Sequence, residues 1–300
     1  MTTTTVRAES GASVQLRALE PDDAPECARI IYQAFASIHD HHGFRRDWPA
    51  LGAAEQFTSA LIAHPSIWGV VAEGEGRIVG SNFVDERGPI RGLGPITVEP
   101  RAQARGVGRR LMEAALERSR GAAGVRLFQD SFNVASLALY TALGFEVKEP
   151  AVVMTGRPRS EPAAGIEVRP LTEADLPACE ELCVQVHSFE RTNELRDAID
   201  APELAPFVAV RGNRIRAYAT TLTFFPAAYA VAESEDAMRG LILGALAAGD
   251  SPASFLLPTR QARLFRWCLA EGLRVVKPMT YMVIGQYRHP AGCWIPSVSY

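Results

Sequence analysis

Little in this sequence points to a membrane, to the cell exterior or to nucleic acid. It contains no run of 18 apolar residues, so no helix of membrane-spanning length is expected. Met1 to Thr5 is polar and lacks the apolar core of a signal peptide, which makes a cytoplasmic location the expectation. Cysteines are few and odd in number: Cys27, Cys179, Cys183, Cys268 and Cys293. With no secretion signal beside them they read as reduced thiols rather than a disulfide framework. Cys179 and Cys183 can share a helix face, but no further ligand is close in sequence, so core thiols are expected there instead of a metal site. Charge of the two signs nearly balances, with a formal net of −3, and no clustered basic face marks a nucleic-acid binder. What remains is 300 residues, 47% hydrophobic and 22% charged, enough to bury two cores of ordinary domain size.

The first helix is expected after Asp22 and Asp23, which suit an N-cap, with Pro25 in its first turn and Cys27, Ile30, Ile31, Ala34 and Phe35 on one apolar face. A polar, His-rich stretch follows from Ser37 to Pro49. Trp68–Glu73 and Arg77–Val84 read as a hairpin closed by Gly74-Glu75-Gly76. Ile96–Val98 reads as a strand, followed by Pro100, a glycine-containing loop and a helix from Val107 to about Arg120, with Gly121 placed to stop it. A strand at Val125–Gln129, a short helix at Val134–Leu143 ending on Gly144, and strands at Phe145–Val147 and Val152–Met154 complete this half. Arg157 to Gly165 has no apolar pattern and reads as a linker.

The second half repeats the first. Leu16-Arg17 with Asp23, Pro25 and Cys27 matches Val168-Arg169 with Asp175, Pro177 and Cys179. A second hairpin, Phe207–Val210 with Arg214–Tyr218, turns at Gly212-Asn213. Leu241–Leu246 resembles Leu111–Leu116, and Leu264–Gly272 resembles Ser136–Gly144. Two copies of one unit argue for two similar α/β domains, residues 12–156 and 166–300, joined by the linker 157–165.

The segment richest in chemistry is Gln103-Ala104-Arg105-Gly106-Val107-Gly108-Arg109-Arg110-Leu111, between a strand and a helix. Glycines let a ligand approach the backbone, and the unpaired N–H groups and dipole of a helix start favour an anion such as a pyrophosphate. Arg105, Arg109 and Arg110 add positive charge. A dinucleotide fingerprint is excluded because Leu111 stands where its third glycine belongs, and the absence of Gly-Lys-Ser/Thr excludes a P-loop. A bare Gly-x-Gly before a helix also suits a tight turn. Further on, Asn133, Ser136 and Tyr140 lie at i, i+3 and i+7 on one helix face, a pattern open to a solvated surface or to a phenol that donates a proton.

Together, Gln-x-x-Gly-x-Gly on a strand–loop–helix, then a strand, then Asn-x-x-Ser-x-x-Leu-Tyr-x-x-Leu-Gly-Phe, resemble the two signature motifs of the GNAT acetyltransferase family. The resemblance covers residues 14–156 well and 166–288 as a degenerate echo. It implies an α/β (α+β) fold of two tandem GNAT-like domains, each a mixed, mostly antiparallel twisted sheet flanked by helices, with the fourth and fifth strands splayed around a pantetheine arm. It implies an N-acetyltransferase that uses acetyl-CoA as co-substrate, without a metal, and takes a primary amine by direct attack. The backbone of Ile96, Thr97 and Val98 pairs with pantetheine in that picture, and Val98 N–H donates to the thioester carbonyl. Gln103, Ala104, Arg105, Gly106, Val107, Gly108 and Arg109 hold the pyrophosphate. Asn133 and Ser136 contact the CoA arm or fix its helix, and Tyr140 is the general acid for the departing thiolate. A non-catalytic acyl-CoA sensor is the rival reading.

One departure stands out. Some members carry a glutamate early on strand four as general base, whereas Arg91-Gly92-Leu93-Gly94 offers no carboxylate. Asp85, Glu86 and Glu99 are nearby, and each is expected to be a solvated acid rather than the base. In the second half Glu233, Asp236 and Met238 stand where Gln103, Gly106 and Gly108 are expected, with Gln261 for Asn133 and Cys268 for Tyr140; that half is expected not to bind acetyl-CoA. The run His39 to Trp48 is the expected source of acceptor contacts, and the packing within His39-Asp40-His41-His42 is too tight for one metal ion. The apolar tail Pro290–Tyr300 is expected to pack against the protein, with the Tyr300 carboxylate in another domain's active site as a further expectation. The expected partner is a small-molecule or peptide amine, with no nucleic acid and no membrane, in a monomer or homodimer.

Overall fold

The computed structural model describes residues 14–162, 165–201, 203–247 and 249–298. Contacts divide the chain into two compact units. The first holds the residues up to Glu86, Ile90–Leu127 and Asn133–Gly144; the second holds Arg87–Pro89, Phe128–Phe132 and everything from Phe145 onward.

The first unit runs β1 (Gln15–Ala18), α1 (Ala24–His42), α2 (Leu51–Ala63), β2 (Ile67–Gly74), β3 (Arg77–Asp85), β4 (Ile90–Leu93), β5 (Thr97–Val98), α3 (Val107–Arg118), β6 (Gly124–Asp130, to Leu127 in this unit) and α4 (Val134–Ala142). β1, β2, β3 and β4 pair antiparallel in that order, and β4 pairs parallel with β6. Side-chain alternation sorts the two faces. Val70, Ala72 and Val79 meet Val107 and Leu111 of α3, whereas Val71 and Ile78 meet Cys27 and Ile30 of α1. Burying a side chain such as Leu111 contributes about 1.5–3 kcal/mol.

The second unit runs β7 (Glu146–Gly156), β8 (Glu167–Pro170), α5 (Leu176–His187), α6 (Thr192–Asp200), β9 (Phe207–Arg211), β10 (Arg214–Ala219), β11 (Ala230–Ala232), α7 (Glu235–Ala247), β12 (Ala253–Pro258), α8 (Ala262–Ala270), β13 (Arg274–Gly285) and β14 (Cys293–Ile295). β8, β9, β10, β11 and β14 form a five-stranded antiparallel sheet. Its alanine face, Ala209, Ala217, Ala219, Ala230 and Ala232, receives α7, and its other face, with Val208, Tyr218 and Val231, receives α5. Gly240 and Gly244 let α7 lie on β8: a Cβ on Gly244 would come within 2.3 Å of Val168 Cγ2. β7 pairs with β12 on one side and β13 on the other.

The repeat is visible atom by atom at one corner of each unit. Arg17 Nη1 and Nη2 donate to both oxygens of Asp23 at 2.7 and 2.8 Å, and Glu20 N–H donates to the same carboxylate. Arg169, Asp175 and Thr172 repeat this geometry at 2.8, 2.7 and 2.9 Å. Asp23 therefore closes the short turn before α1 and gives α1 itself no side-chain cap. The hydrogen bonds from Arg169 hold the Asp175 carboxyl at about 2, against the opposing effect of burial, and those from Arg17 likewise lower Asp23. A carboxyl depressed in the fold stabilises it fully above its ordinary value of about 3.9 and loses that stabilisation as pH falls through the folded value. Urea midpoints of the wild type are thus expected to fall as pH drops from about 4 to about 2. Asp175→Asn should be less stable at pH 7 and show a shallower fall; an equally steep fall would contradict this.

All five cysteines are free and buried; burial was expected of Cys179 and Cys183 alone. Burial pushes the thiols of Cys27, Cys179, Cys268 and Cys293 up to about 12 and also raises Cys183. Native protein is expected to give no reaction with Ellman's reagent at pH 8, and five equivalents after denaturation; a fast native equivalent would contradict that burial.

Several elements differ from the sequence-based expectations. α1 continues to His42 through the supposed polar loop: His39 is fully buried, its Nδ1 bonds to Phe35 O at 2.7 Å, and the left-handed Gly43 ends the helix. α2 and α6 were not anticipated. The expected strands at Phe145–Val147 and Val152–Met154 are one strand, β7, in which Pro150 O accepts from Thr259 N–H. The C-terminal segment packs inside, with Trp294 buried; Tyr300 lies outside the described residues. No helix among the described residues is long and apolar enough to cross a membrane.

Candidate acyl-CoA site

The site begins with a bulge. β3 pairs with β4 at Val84↔Leu93 and with β5 at Ser81↔Thr97. Two residues intervene on β3 and three on the other side, so one residue is extra. Gly94, at φ +128, absorbs it and donates its N–H to Phe83 O at 3.0 Å. The bulge matters because β6 pairs with β4 only across Ile90–Gly92. Beyond it, Thr97 and Val98 stay on β3, and among the described residues no ladder joins them to β6. The two strands splay.

Orientation along β5 follows from alternation. Glu99 N–H donates to Val79 O at 2.8 Å, so the N–H of Val98, one residue earlier, faces the splay. Gly80 on β3 permits this close approach: a Cβ there would meet Thr97 O at 2.6 Å. Sequence reasoning passed over Gly80, although a glycine inside a strand is a signal for close backbone approach.

The loop at the end of β5 turns through two left-handed residues, Ala104 at φ +60 and Gly106 at φ +80. Gln103 Nε2 donates to Val98 O at 3.1 Å and ties the loop to the strand. Gly106 caps α3 without a side chain, and the first turn of α3 holds no acid, so its own sequence puts no carboxylate against the N–H groups of the helix start. Residues 103–106 are exposed and Val107 is buried. Gly108 lies where α3, β5 and α4 meet: a Cβ on it would sit 3.5 Å from Leu139 Cδ2 and 3.8 Å from Val98 Cγ2. Arg105 is exposed, and Arg109 Nη1 lies 3.8 Å from Glu113. Arg110 departs from expectation, since its guanidinium donates to Val14 O.

On α4, Asn133 is the N-cap and its Oδ1 accepts from Ser136 N–H at 3.2 Å, which sets the helix start. Tyr140, two turns on, is buried. The expected solvated acids differ from one another. Glu99 is buried and paired with Arg77 at 2.5 Å and with Arg29 at 3.6 Å, an ion pair that anchors the end of β5. Glu86 is bound by Arg118 at 2.7 Å.

The expected acceptor segment is a packed helical hairpin instead of a loop. His39 Nε2 lies 3.7 Å from Asp47 Oδ1, and Trp48 packs between Phe35 of α1 and Phe57 of α2, with ring centroids 6.0 and 5.4 Å away. His41, His42 and Arg45 are exposed.

Comparison with known proteins follows the same lines. Residues 29–145 match the model of the acetyltransferase (GNAT) family. Sixty-three residues are 41% identical to a mycothiol acetyltransferase of Nocardia farcinica, a match spanning 20% of this chain and 21% of that relative. A candidate acetyltransferase of Pyrococcus horikoshii superposes over 93% of this chain and 94% of its own, with a TM-score of 0.72 at 16% identity. A tandem GNAT protein from the clavulanic acid biosynthesis pathway covers 95% of this chain and 99% of its own, with a TM-score of 0.57 at 14% identity. At these identities the structural likeness speaks for the fold.

Proposed function

We propose, from the premise that residues 29–145 form a GNAT-family domain within a tandem GNAT fold, that the first half transfers an acetyl group from acetyl-CoA to a primary amine. The observation that carries this is the splay beside β5: a strand edge with the Val98 N–H turned into it, next to an acid-free helix start. In the proposed arrangement the backbone of residues 96–98 holds the pantetheine arm, and the N–H groups of Gln103–Arg109 hold the pyrophosphate. Asn133 and Ser136 set α4 beside the arm.

Attack of the amine nitrogen on the thioester carbon forms the N–C bond and puts negative charge on the carbonyl oxygen. Val98 N–H donates to that oxygen, a contact of a kind that supplies about 2.7–4 kcal/mol. The C–S bond then breaks while Tyr140 O–H gives its proton to the sulfur. The proton released by nitrogen passes to solvent, from which the Tyr140 phenolate regains one; Glu99, held by two arginines, is poorly placed to take the amine proton. In this reading the catalytic domain is 12–156 and the non-catalytic one 166–300, with β7, counted in the first by sequence, packed in the second unit.

The test is the rate of CoA release over a panel of small primary amines and N-terminal peptides. Saturable, amine-dependent release is expected. Tight binding of acetyl-CoA with no amine-dependent release across the panel would contradict the enzyme reading and favour a sensor.

A further inference from the structure

The second unit repeats the splayed slot and fills it. β11 holds the register of β5: Glu233 N–H donates to Arg216 O at 3.0 Å, as Glu99 N–H does to Val79 O. Glu233 is therefore the counterpart of Glu99, not of Gln103, and Val231 and Ala232 are those of Thr97 and Val98. Eight residues separate Val98 from Val107 in the first half, and four separate Ala232 from Ala237 in the second. The glycine loop is shortened as well as substituted.

By the same alternation, Ala232 N–H faces away from β10. On that side lies β14, antiparallel to β11 in the register Ala230↔Ile295, Val231↔Trp294 and Ala232↔Cys293. β14 also packs against β12, the counterpart of β6. Gln261, which precedes α8 as Asn133 precedes α4, brackets the Trp294 peptide: Nε2 donates to Trp294 O at 2.6 Å, and Trp294 N–H donates to Oε1 at 3.0 Å. The approach is close enough that a Cβ on Gly292 would meet Ala232 O at 2.3 Å.

We infer that β14 is the built-in occupant of the second unit's acyl-chain slot. The chain's own residues 293–295 take the strand-edge hydrogen bonds that an acyl-pantetheine takes beside β5, and the second unit is thereby closed to acyl-CoA. The inference rests on the reading of β5 as the acyl-CoA edge in the first half. A tethered strand holds its slot at an effective concentration in the millimolar range, which a free acyl-CoA has to overcome in order to enter.

Amide hydrogen exchange on the intact wild-type protein, with and without acetyl-CoA, tests this. Residues 230–232 and 293–295 are expected to be protected without acetyl-CoA and unchanged by it, while 96–98 slow on its addition. A change at 230–232 alongside protection gained at 96–98 would overturn the inference alone. No gain at 96–98 would overturn the reading of the first slot, and the comparison with it. Gln261→Ala supplies a second readout: loss of the bracketing bonds should speed exchange at Trp294 by roughly fivefold or more while β13 is unaffected, and unchanged exchange at Trp294 would count against β14 being held as described.

Discussion

Tyr140→Phe is expected to lower the amine-dependent turnover number by about 10²- to 10⁴-fold, the range of a lost general acid. The substitution keeps the buried ring and removes one hydroxyl, so acetyl-CoA affinity should stay close to that of the wild type. The pH profile gives a sharper readout. The wild-type advantage needs a protonated phenol, and an ordinary tyrosine loses its proton near about pH 10. The gap between wild type and variant should therefore narrow above that pH. Equal rates at pH 7 would remove Tyr140 from the chemistry. A rate loss matched by an equal loss of affinity would make it a packing residue.

Gly106→Glu is expected to weaken acetyl-CoA binding at least about 100-fold, or roughly 2.7 kcal/mol, with only a modest fall in the unfolding midpoint. Gly106 has open space around its missing Cβ, so the added side chain meets no protein atom, but φ is +80. A residue other than glycine there costs about 1–2 kcal/mol. That strain is shared by Gly106→Ala; only the glutamate places a negative charge at the start of α3, where the pyrophosphate is proposed to sit. The difference between the two variants isolates the charge. Equal binding by both would mean that the loop holds no anion.

The loop and the repeat were legible because each is written in local signals: glycines at fixed spacing, an arginine followed six residues later by an aspartate, and hairpins closed by glycine. What escaped depends on partners distant in sequence. α2 fully buries only Ala54 and Thr58, a small-residue stripe that makes a faint signal beside its half-buried Phe57 and Leu61. β7 contains Pro150, which splits the apolar pattern although the ladder with β13 runs through it at Thr280↔Pro150. Glu99 is an ordinary strand-end acid in sequence; Arg77 lies 22 residues away, and only the hairpin brings the two together. The bond from Gln103 to Val98 and the contact of Gly108 with Leu139 need the fold before they can be seen. Glu233 was aligned with Gln103 because helix-to-helix spacing was carried across a loop that is four residues shorter.

Calorimetric titration of acetyl-CoA into the wild-type chain, with the stoichiometry fitted, is the most direct test of a live first half beside a closed second half. One equivalent per chain, lost in Gly106→Glu, is the expected result. Two equivalents, or one equivalent that survives Gly106→Glu, would contradict it.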